Sequence, residues 1–444
     1  MTTRSDPATT VADPTETEVG SVFVSNYPPY SFWEMDQVPR ALEALGRPAQ
    51  PGTPLGLYLH IPFCRKRCKF CYFKVYTDKT GDDVRRYAAA LTREVELLAA
   101  LPAIAGRPLK FVYFGGGTPS FLAAKQLRAL VKRIRTLLPW QGAEEVTFEC
   151  EPGTLTRPKV EAIREVGVTR LSLGVESFDD RVLEENGRAH RSAEIHRVAP
   201  WIRAAGFAQV NIDLIAGMVG ETWETWRENV RRTLELAPDS VTVYQMELPF
   251  NTVYSRQILD GSGSVAVADW ETKRAWHDHA FREFESAGYR VSSAYTVVRP
   301  GPGGRFVYRD SVWRGCDLLG TGVASFSHVG GVHFQNEADW GPYLGRVEAG
   351  EIPIARAFVT DPAERLTREM ILQLKLGRVE REPFRRKFGV DILERFAPAW
   401  DRLAARRMVE VEDGTIRLTR PGLLRVDSLL PEFYAGRYRG ARYT

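Results

Sequence analysis

From residue 55 onward the chain alternates short apolar runs with longer stretches of mixed polarity. The runs LGLYLHI (55–61), LKFVYFG (109–115), EVTFEC (145–150), TRLSLGV (169–175), QVNIDLI (209–215) and SVTVYQM (240–246) have the length and the β-branched, aromatic content of strands. Between them, 82–100, 122–137, 156–166, 191–205 and 221–236 read as amphipathic helices. Strands that alternate with helices in this way predict right-handed β-α units on a parallel sheet. Such units close into a full or partial barrel, and ligands then gather at the C-terminal ends of the strands.

The flanks break this pattern. Residues 1–20 are small, polar and proline-containing, and are expected to be a disordered tail. SVFVSNYPPYSFW (21–33) is too aromatic for a free tail and predicts a strap packed over something, joined by the linker PAQPGTP to residue 54. A core barrel is expected over 55–295, ending in a long helix at 266–287, and a glycine-rich extension over 296–356. The segment 357–444 shows helical patterns at 361–376 and 382–407, then VEVEDGTIRLT around a DG turn and a final helix. That outline predicts a mostly helical, winged-helix-like C-terminal domain. Because fold does not fix function, packing over the barrel mouth is the expected role, not DNA binding.

Composition and charge narrow the class. With 60 basic and 56 acidic residues the net charge of +4 is a near-cancellation, which gives no support to nucleic-acid binding. No apolar run has the length of a membrane span, and no secretory signal is visible. Five cysteines, three of them clustered, argue against a disulfide framework and for a reducing, cytoplasmic setting. Nothing in the sequence fixes an oligomeric state.

The clustered cysteines are the strongest chemical feature. Cys64, Cys68 and Cys71, in LYLHIPFCRKRCKFCYF directly after the first strand, let three thiolates converge on one soft-metal centre. A structural zinc site would be closed by a fourth Cys or His. The remaining cysteines, Cys150 and Cys316, are distant and single. An iron–sulfur cluster with one open iron is therefore the expected occupant.

Other strand ends carry polar residues in the same region. FGGGTP (114–119) ends the second strand, and its glycines admit close backbone approach. Glu149 and Glu151 end the third and could grip an ammonium group or ribose hydroxyls, with Cys150 between them facing the core. Glu176 ends the fourth, and Arg188 follows as a group able to pair a carboxylate. Asp213 interrupts an apolar fifth strand, where a ligand-facing role would justify it. Tyr58, His60 and Phe63 flank the cysteine loop, whereas His190, His196, His277 and His279 are expected at the surface.

Together, YLHIPFC-x3-C-x2-C, FGGGTP, E-x-E-P, RLSLGVESF, NIDLIAG and GCDLLGTGVASFS resemble the radical S-adenosylmethionine (SAM) superfamily, and closely its oxygen-independent coproporphyrinogen III oxidase-like family. The resemblance implies a partial (β/α)6 radical SAM barrel. Cys64, Cys68 and Cys71 would bind a 4Fe-4S cluster, with Tyr58 also placed in the catalytic set. Tyr58, Gly116, Gly117, Thr118, Glu149, Glu176, Arg188, Asp213 and Ile215 match positions that hold SAM. Asp213, Ile215 and the 320–326 loop would suit a second SAM. An electron donor of the reductase, flavodoxin or ferredoxin kind is implied as a partner.

The chain departs from the coproporphyrinogen enzymes in two places. It reads Tyr72-Phe73 where they read Gly-Cys, and Ser25-Asn26-Tyr27-Pro28-Pro29-Tyr30 where they have a YTSYPT-like strap. Glu176 also stands where the family usually has Gln. Three readings stay open: class C methyl or methylene transfer to an unsaturated small molecule, coproporphyrinogen III dehydrogenation with Lys74 and Arg309 binding carboxylates, and a haem chaperone. The last would need a histidine that Tyr308–Trp313 lacks.

Overall fold

A computed structural model describes residues 15–263, 265–301 and 303–441. Six strands run in parallel along the chain: β1 (Leu55–Ile61), β2 (Leu109–Gly116), β3 (Glu145–Cys150), β4 (Arg170–Glu176), β5 (Gln209–Ala216) and β6 (Ser240–Gln245). After the short α1 (Val38–Leu45), the helices α2 (Gly81–Ala99), α3 (Ala124–Leu137), α4 (Arg157–Glu165), α5 (Asp180–Glu185), α6 (Ser192–Ala205) and α7 (Trp223–Leu236) connect them. This is the partial barrel expected from the alternation. The observed β2, β4 and β5 run one residue further than their apolar runs, so Gly116, Glu176 and Ala216 sit at their ends.

The helices begin where the sequence caps them. Thr80 accepts from the Asp83 amide while Asp83 accepts from the Thr80 amide, a capping box that starts α2. The buried face of α2 then carries Val84, Tyr87, Leu91, Val95 and Leu98 at helical spacing.

The 296–356 segment is more regular than its glycines suggested. It holds β8 (Thr296–Val298), which together with β7 (Arg290–Val291) extends the sheet antiparallel beyond β6. It also holds β9 (Asp317–Thr321), β10 (Phe326–Val329), β11 (Val332–Asn336) and the start of β12 (Ile354–Val359), which continue the sheet on the far side of β1. β9 pairs parallel with β1, and the next three strands are antiparallel. The glycines occupy the connections: Gly330 and Gly331 turn β10 into β11 with positive φ angles of 59° and 81°.

The turn after β9 is fixed by a buried acid. Glu94 of α2 accepts from Tyr343 Oη at 2.6 Å, Asn336 Nδ2 at 2.6 Å and the Gly322 amide at 2.8 Å. Burial pushes its carboxyl up to about 7. Glu94→Ala would leave Tyr343 Oη and the Gly322 amide without this acceptor and cost Asn336 Nδ2 one of its three. It is expected to lower unfolding free energy by about 3–5 kcal/mol, measured by urea denaturation, with Glu94→Gln losing less. The 320–326 loop is thus tied down beneath β1 and does not line the main cavity, against the expectation that it would hold a second SAM.

The aromatic segment after residue 20 does pack across the molecule. Phe23 lies edge-on to Tyr295, Tyr27 contacts Tyr434 and Tyr438, and Trp33 stacks on His333 at 5.1 Å. Residues 1–14 of the expected tail lie outside the described residues. Residues 15–20, by contrast, are held: the Gly20 amide donates to Leu248 O at 2.8 Å, and Thr17 Oγ1 to Ala268 O at 2.7 Å.

At the C-terminal end, β13 (Arg378–Glu380), β14 (Val409–Glu412) and β15 (Thr415–Leu418) form a small antiparallel sheet beside helices, the winged-helix-like outline. The expected helix at 382–407 is broken into Arg381–Phe388, Ile392–Arg395 and Ala397–Ala405. Gly389 ends the first piece in the left-handed region at φ 68°. Among the described residues no helix is long and apolar enough to cross a membrane.

Candidate functional site

A cavity of about 550 Å³ opens at the C-terminal ends of the barrel strands. The loop carrying Cys64, Cys68 and Cys71 forms one side of it. Its base is closed by a backbone pair, with the Cys64 amide donating to Tyr76 O at 3.0 Å and the Tyr76 amide to Pro62 O at 2.7 Å. Further out, the Lys69 amide donates to Asn186 O at 3.0 Å and Asn251 Nδ2 to Tyr72 O at 2.7 Å. A loop rich in charged residues is thereby held in one conformation.

The three thiols line the same cavity, yet among the described residues no three Cys, His, Asp or Glu are placed as ligands of one ion. Four sulfurs around one zinc, at about 2.3 Å each, stand only about 4 Å apart. A cubane cluster places each thiolate on a separate iron, and so asks for a wider triangle. Three thiols lining one wall are a soft donor set that fits such a cluster. Burial pushes Cys64 up to about 11 and Cys71 up to about 12, so binding iron requires loss of thiol protons.

The glycine run at the end of β2 is required by the approach of β1. A Cβ on Gly116 would meet the His60 ring at 2.5 Å, and one on Gly117 the Ile61 carbonyl oxygen at 2.9 Å. The bare backbone lets Gly117 and Thr118 donate to Ile61 O and Phe63 O at 2.9 and 2.8 Å. This seats Thr118 Oγ1 3.4 Å from Cys64 Sγ.

Glu149 faces the cavity from β3 and accepts from Tyr113 Oη at 2.6 Å. Glu176 stands at φ 62°, unusual for a non-glycine residue, where the β4–β5 register shifts. That bulge aims its carboxylate at Arg188, 3.5 Å away. Burial pushes both Glu149 and Glu176 up to about 7. Asp213, also raised by burial, accepts from Ser172 Oγ at 2.8 Å and Asn211 Nδ2 at 2.9 Å.

Arg188 faces the Glu176 carboxylate and two further partners, with Nη1 donating to Cys68 Sγ at 3.4 Å and Nη2 to Gly174 O at 2.8 Å. It links the cysteine loop to the end of β4.

Gly116, Gly117, Thr118, Glu149, Glu176, Arg188, Asp213 and Ile215 therefore all line the cavity with the three cysteines. Tyr58 does not. It stacks on Tyr113 at 5.8 Å and lies behind Glu149, its hydroxyl 3.4 Å from His60 Nδ1. Glu151 also lines the cavity, where it is engaged by Arg65 at 2.9 Å and by His190. His190 and His277 are buried, not at the surface, because their rings are enclosed by Val175 and Glu151 in one case and Gln245 in the other. Lys74 reaches Asp339 at 2.6 Å, and Arg309 faces a different groove.

The structure adds residues that the motifs did not mark. Tyr244 and Glu247 line the cavity from the end of β6, where the rule that ligands meet strand C-termini could have found them. Phe23, Tyr295 and the segment 423–428 close it from the strap and the C-terminal part. Asp427 joins these pieces, accepting from the Val24 amide at 2.9 Å, from Lys375 at 2.8 Å and from Tyr295 Oη. No local pattern announces an aspartate whose nearest partner here, Lys375, is already distant in sequence and whose others lie 132 and 403 residues away.

Comparison with known proteins agrees with this geometry. The radical SAM superfamily model matches residues 58–233, and the HemN C-terminal domain model matches residues 360–425. An oxygen-independent coproporphyrinogen III oxidase of Bradyrhizobium diazoefficiens is 30% identical over 336 residues, 72% of each chain. The heme chaperone HemW of Bacillus subtilis is 26% identical over 369 residues, 83% of this chain and 96% of the relative. The solved coproporphyrinogen III oxidase (HemN) of Escherichia coli, a radical SAM enzyme, superposes with a TM-score of 0.80 at 26% identity, covering 93% of this chain and 96% of that one.

Proposed function

Because the chain belongs to the radical SAM superfamily and its oxygen-independent coproporphyrinogen III oxidase-like family, we propose that it cleaves SAM reductively and acts on a neutral, planar, unsaturated small molecule. The 4Fe-4S cluster supplies, when bound, the electron that cleaves the SAM sulfonium to methionine and a 5′-deoxyadenosyl radical. Cys64, Cys68 and Cys71 hold that cluster. The Gly116–Thr118 backbone, Glu149, Glu176 and Arg188 hold SAM beside it, with Asp213 and Ile215 lining the space for a second SAM that provides the transferred carbon. In this reading the 21–54 strap and the 357–444 domain cover a cavity built by the 55–295 barrel, and the electron donor is a flavodoxin or ferredoxin with its reductase.

The observation that carries the substrate class is the charge of the wall. Glu149, Glu176, Asp213, Glu247 and Asp427 all line the cavity. Glu151 lines it too, and six cations stand against these six acids: Arg65, Lys66, Arg67, Arg188, Arg274 and Arg425. Arg65 and Arg188 face carboxylates, Arg67 donates to the Cys71 and Asn251 carbonyl oxygens, and Arg274 and Arg425 are themselves engaged. With cations and acids in balance, and burial pushing Glu149, Glu176 and Glu247 up to about 7, such a wall suits SAM beside a substrate of no net charge. The two side chains available by sequence for propionates, Lys74 and Arg309, are tied to Asp339 and Asp310. Against this charge, Tyr72 and Phe73 stack at 4.4 Å on the cavity wall, with Tyr244 also lining it, as a surface for a flat apolar molecule.

Coproporphyrinogen III dehydrogenation is the second reading, favoured by the near-complete superposition on the Escherichia coli oxidase. Anaerobic incubation with reductant and methyl-labelled SAM separates the two. S-adenosylhomocysteine forming beside 5′-deoxyadenosine, with label in an aromatic acceptor, is the expected result. Protoporphyrinogen formed from coproporphyrinogen would replace it with the second reading. Stable haem binding without SAM cleavage would leave a chaperone role.

A further inference from the structure

A second groove, of about 780 Å³, lies between the outer edge of the barrel and the C-terminal sheet. It is separate from the cysteine cavity, although Leu423 contributes to the walls of both. Seven arginine and lysine side chains line it against three carboxylates. Two of the cations are neutralised locally, Arg309 by Asp310 at 2.8 Å and Lys387 by Glu369 at 2.7 Å, and Arg305 reaches Glu144 at 3.4 Å. The remaining four, Arg290, Arg314, Arg378 and Arg417, form no ion pair among the described residues.

Two of these four are set against each other by the sheet itself. Arg378 and Arg417 are direct partners across the antiparallel β13–β15 pair, so their side chains emerge on one face about 5 Å apart at Cβ. Like charges at opposed positions destabilise a sheet unless something neutralises them. Glu410 flanks Arg417 from β14 but makes no ion pair with it among the described residues. On the opposite wall Arg309 is buried, and its Nη1 has no hydrogen-bond partner among the described residues. The floor between is apolar, with Val379 and Phe384 buried.

We propose that this groove binds a small polyanion, a molecule carrying two or more phosphate or carboxylate groups. Arginine forks recognise both groups bidentately, and converging unpaired guanidiniums supply the charge that one anion alone would not need. The bound anion would relieve the Arg378–Arg417 repulsion. Through Leu423 it would also brace the 423–428 segment that closes the main cavity.

The test is calorimetric titration of the full chain at fixed ionic strength with tripolyphosphate, citrate and a glutamate-rich peptide. One-to-one binding of tripolyphosphate or of citrate is expected, and which of the two binds more tightly identifies the group. Arg378→Ala and Arg417→Ala, both exposed and checked for folding by circular dichroism, are expected to weaken it about tenfold each. Arg386→Ala, outside the groove, is expected to leave it unchanged. Equal weakening by Arg386→Ala, binding by neither small anion, or binding of the peptide alone would overturn the proposal.

Discussion

Replacing Cys68 by serine is expected to abolish the iron–sulfur absorption of the reconstituted protein. Reductive SAM cleavage should fall on the order of 10³-fold or more, because the group that supplies the chemistry is then missing. Anaerobic reconstitution, iron and sulfide analysis and quantification of 5′-deoxyadenosine check both outcomes. Cys64→Ser and Cys71→Ser are expected to behave alike, since all three thiols line one wall. Cys316→Ala is the contrast. Its thiol is buried beside Phe111 and Val307, away from the cavity, so cluster content and cleavage should be retained. If Cys68→Ser kept a full cluster, the assignment of the loop would fail.

Arg188→Ala is expected to weaken SAM binding on the order of 10²-fold, about 3 kcal/mol, because it strips the counter-charge from a buried carboxylate. Arg188 is the group that faces Glu176, and it also donates to Cys68 Sγ and Gly174 O. Its loss would leave Glu176, already pushed up to about 7 by burial, without that cation and still more strongly held neutral. Glu176→Gln should cost only a few-fold, since the side chain keeps its shape and Arg188 keeps two partners. The pH dependence has a defined sign. Below about pH 7 burial keeps Glu149 and Glu176 protonated, so affinity for the cationic ligand should rise as pH climbs through 7. Glu176→Gln should flatten part of that rise. Titration calorimetry of the two variants between pH 6 and pH 8 measures all of these effects, and equal losses in both variants would contradict the asymmetry.

Much of the barrel was legible because each strand and helix carries its own period. LGLYLHI is buried at nearly every position, as a strand covered on both faces must be, and the first cysteine follows three positions after its end. Cys64, Gly116, Glu149, Glu176 and Asp213 were findable because successive β-α units bring their strand ends to one rim. Tyr58 lies three residues before the end of β1, where a strand side chain can turn toward a ligand or behind its neighbours, and here it stacks on Tyr113. The glycine-rich extension concealed four strands and the start of a fifth, since glycines at turns such as Gly330–Gly331 dilute the period of the short runs beside them.

What the sequence determined by itself was the local chemistry. Three thiols at fixed spacing fall at the end of a strand, with bare backbone and carboxylates at the ends of the next ones, and all of this is written within segments of a few residues. Tertiary structure alone decided the charge and the closure of the cavity. Lys74 and Arg309 were withdrawn from it by Asp339 and Asp310, while Glu151 stays on its wall engaged by Arg65 and His190. Asp427 was brought into it to bind Val24, Lys375 and Tyr295. The physical reason is that a buried charge is settled by whichever opposite charge or donor the fold places within about 3 Å, and that partner need have no sequence relation to it.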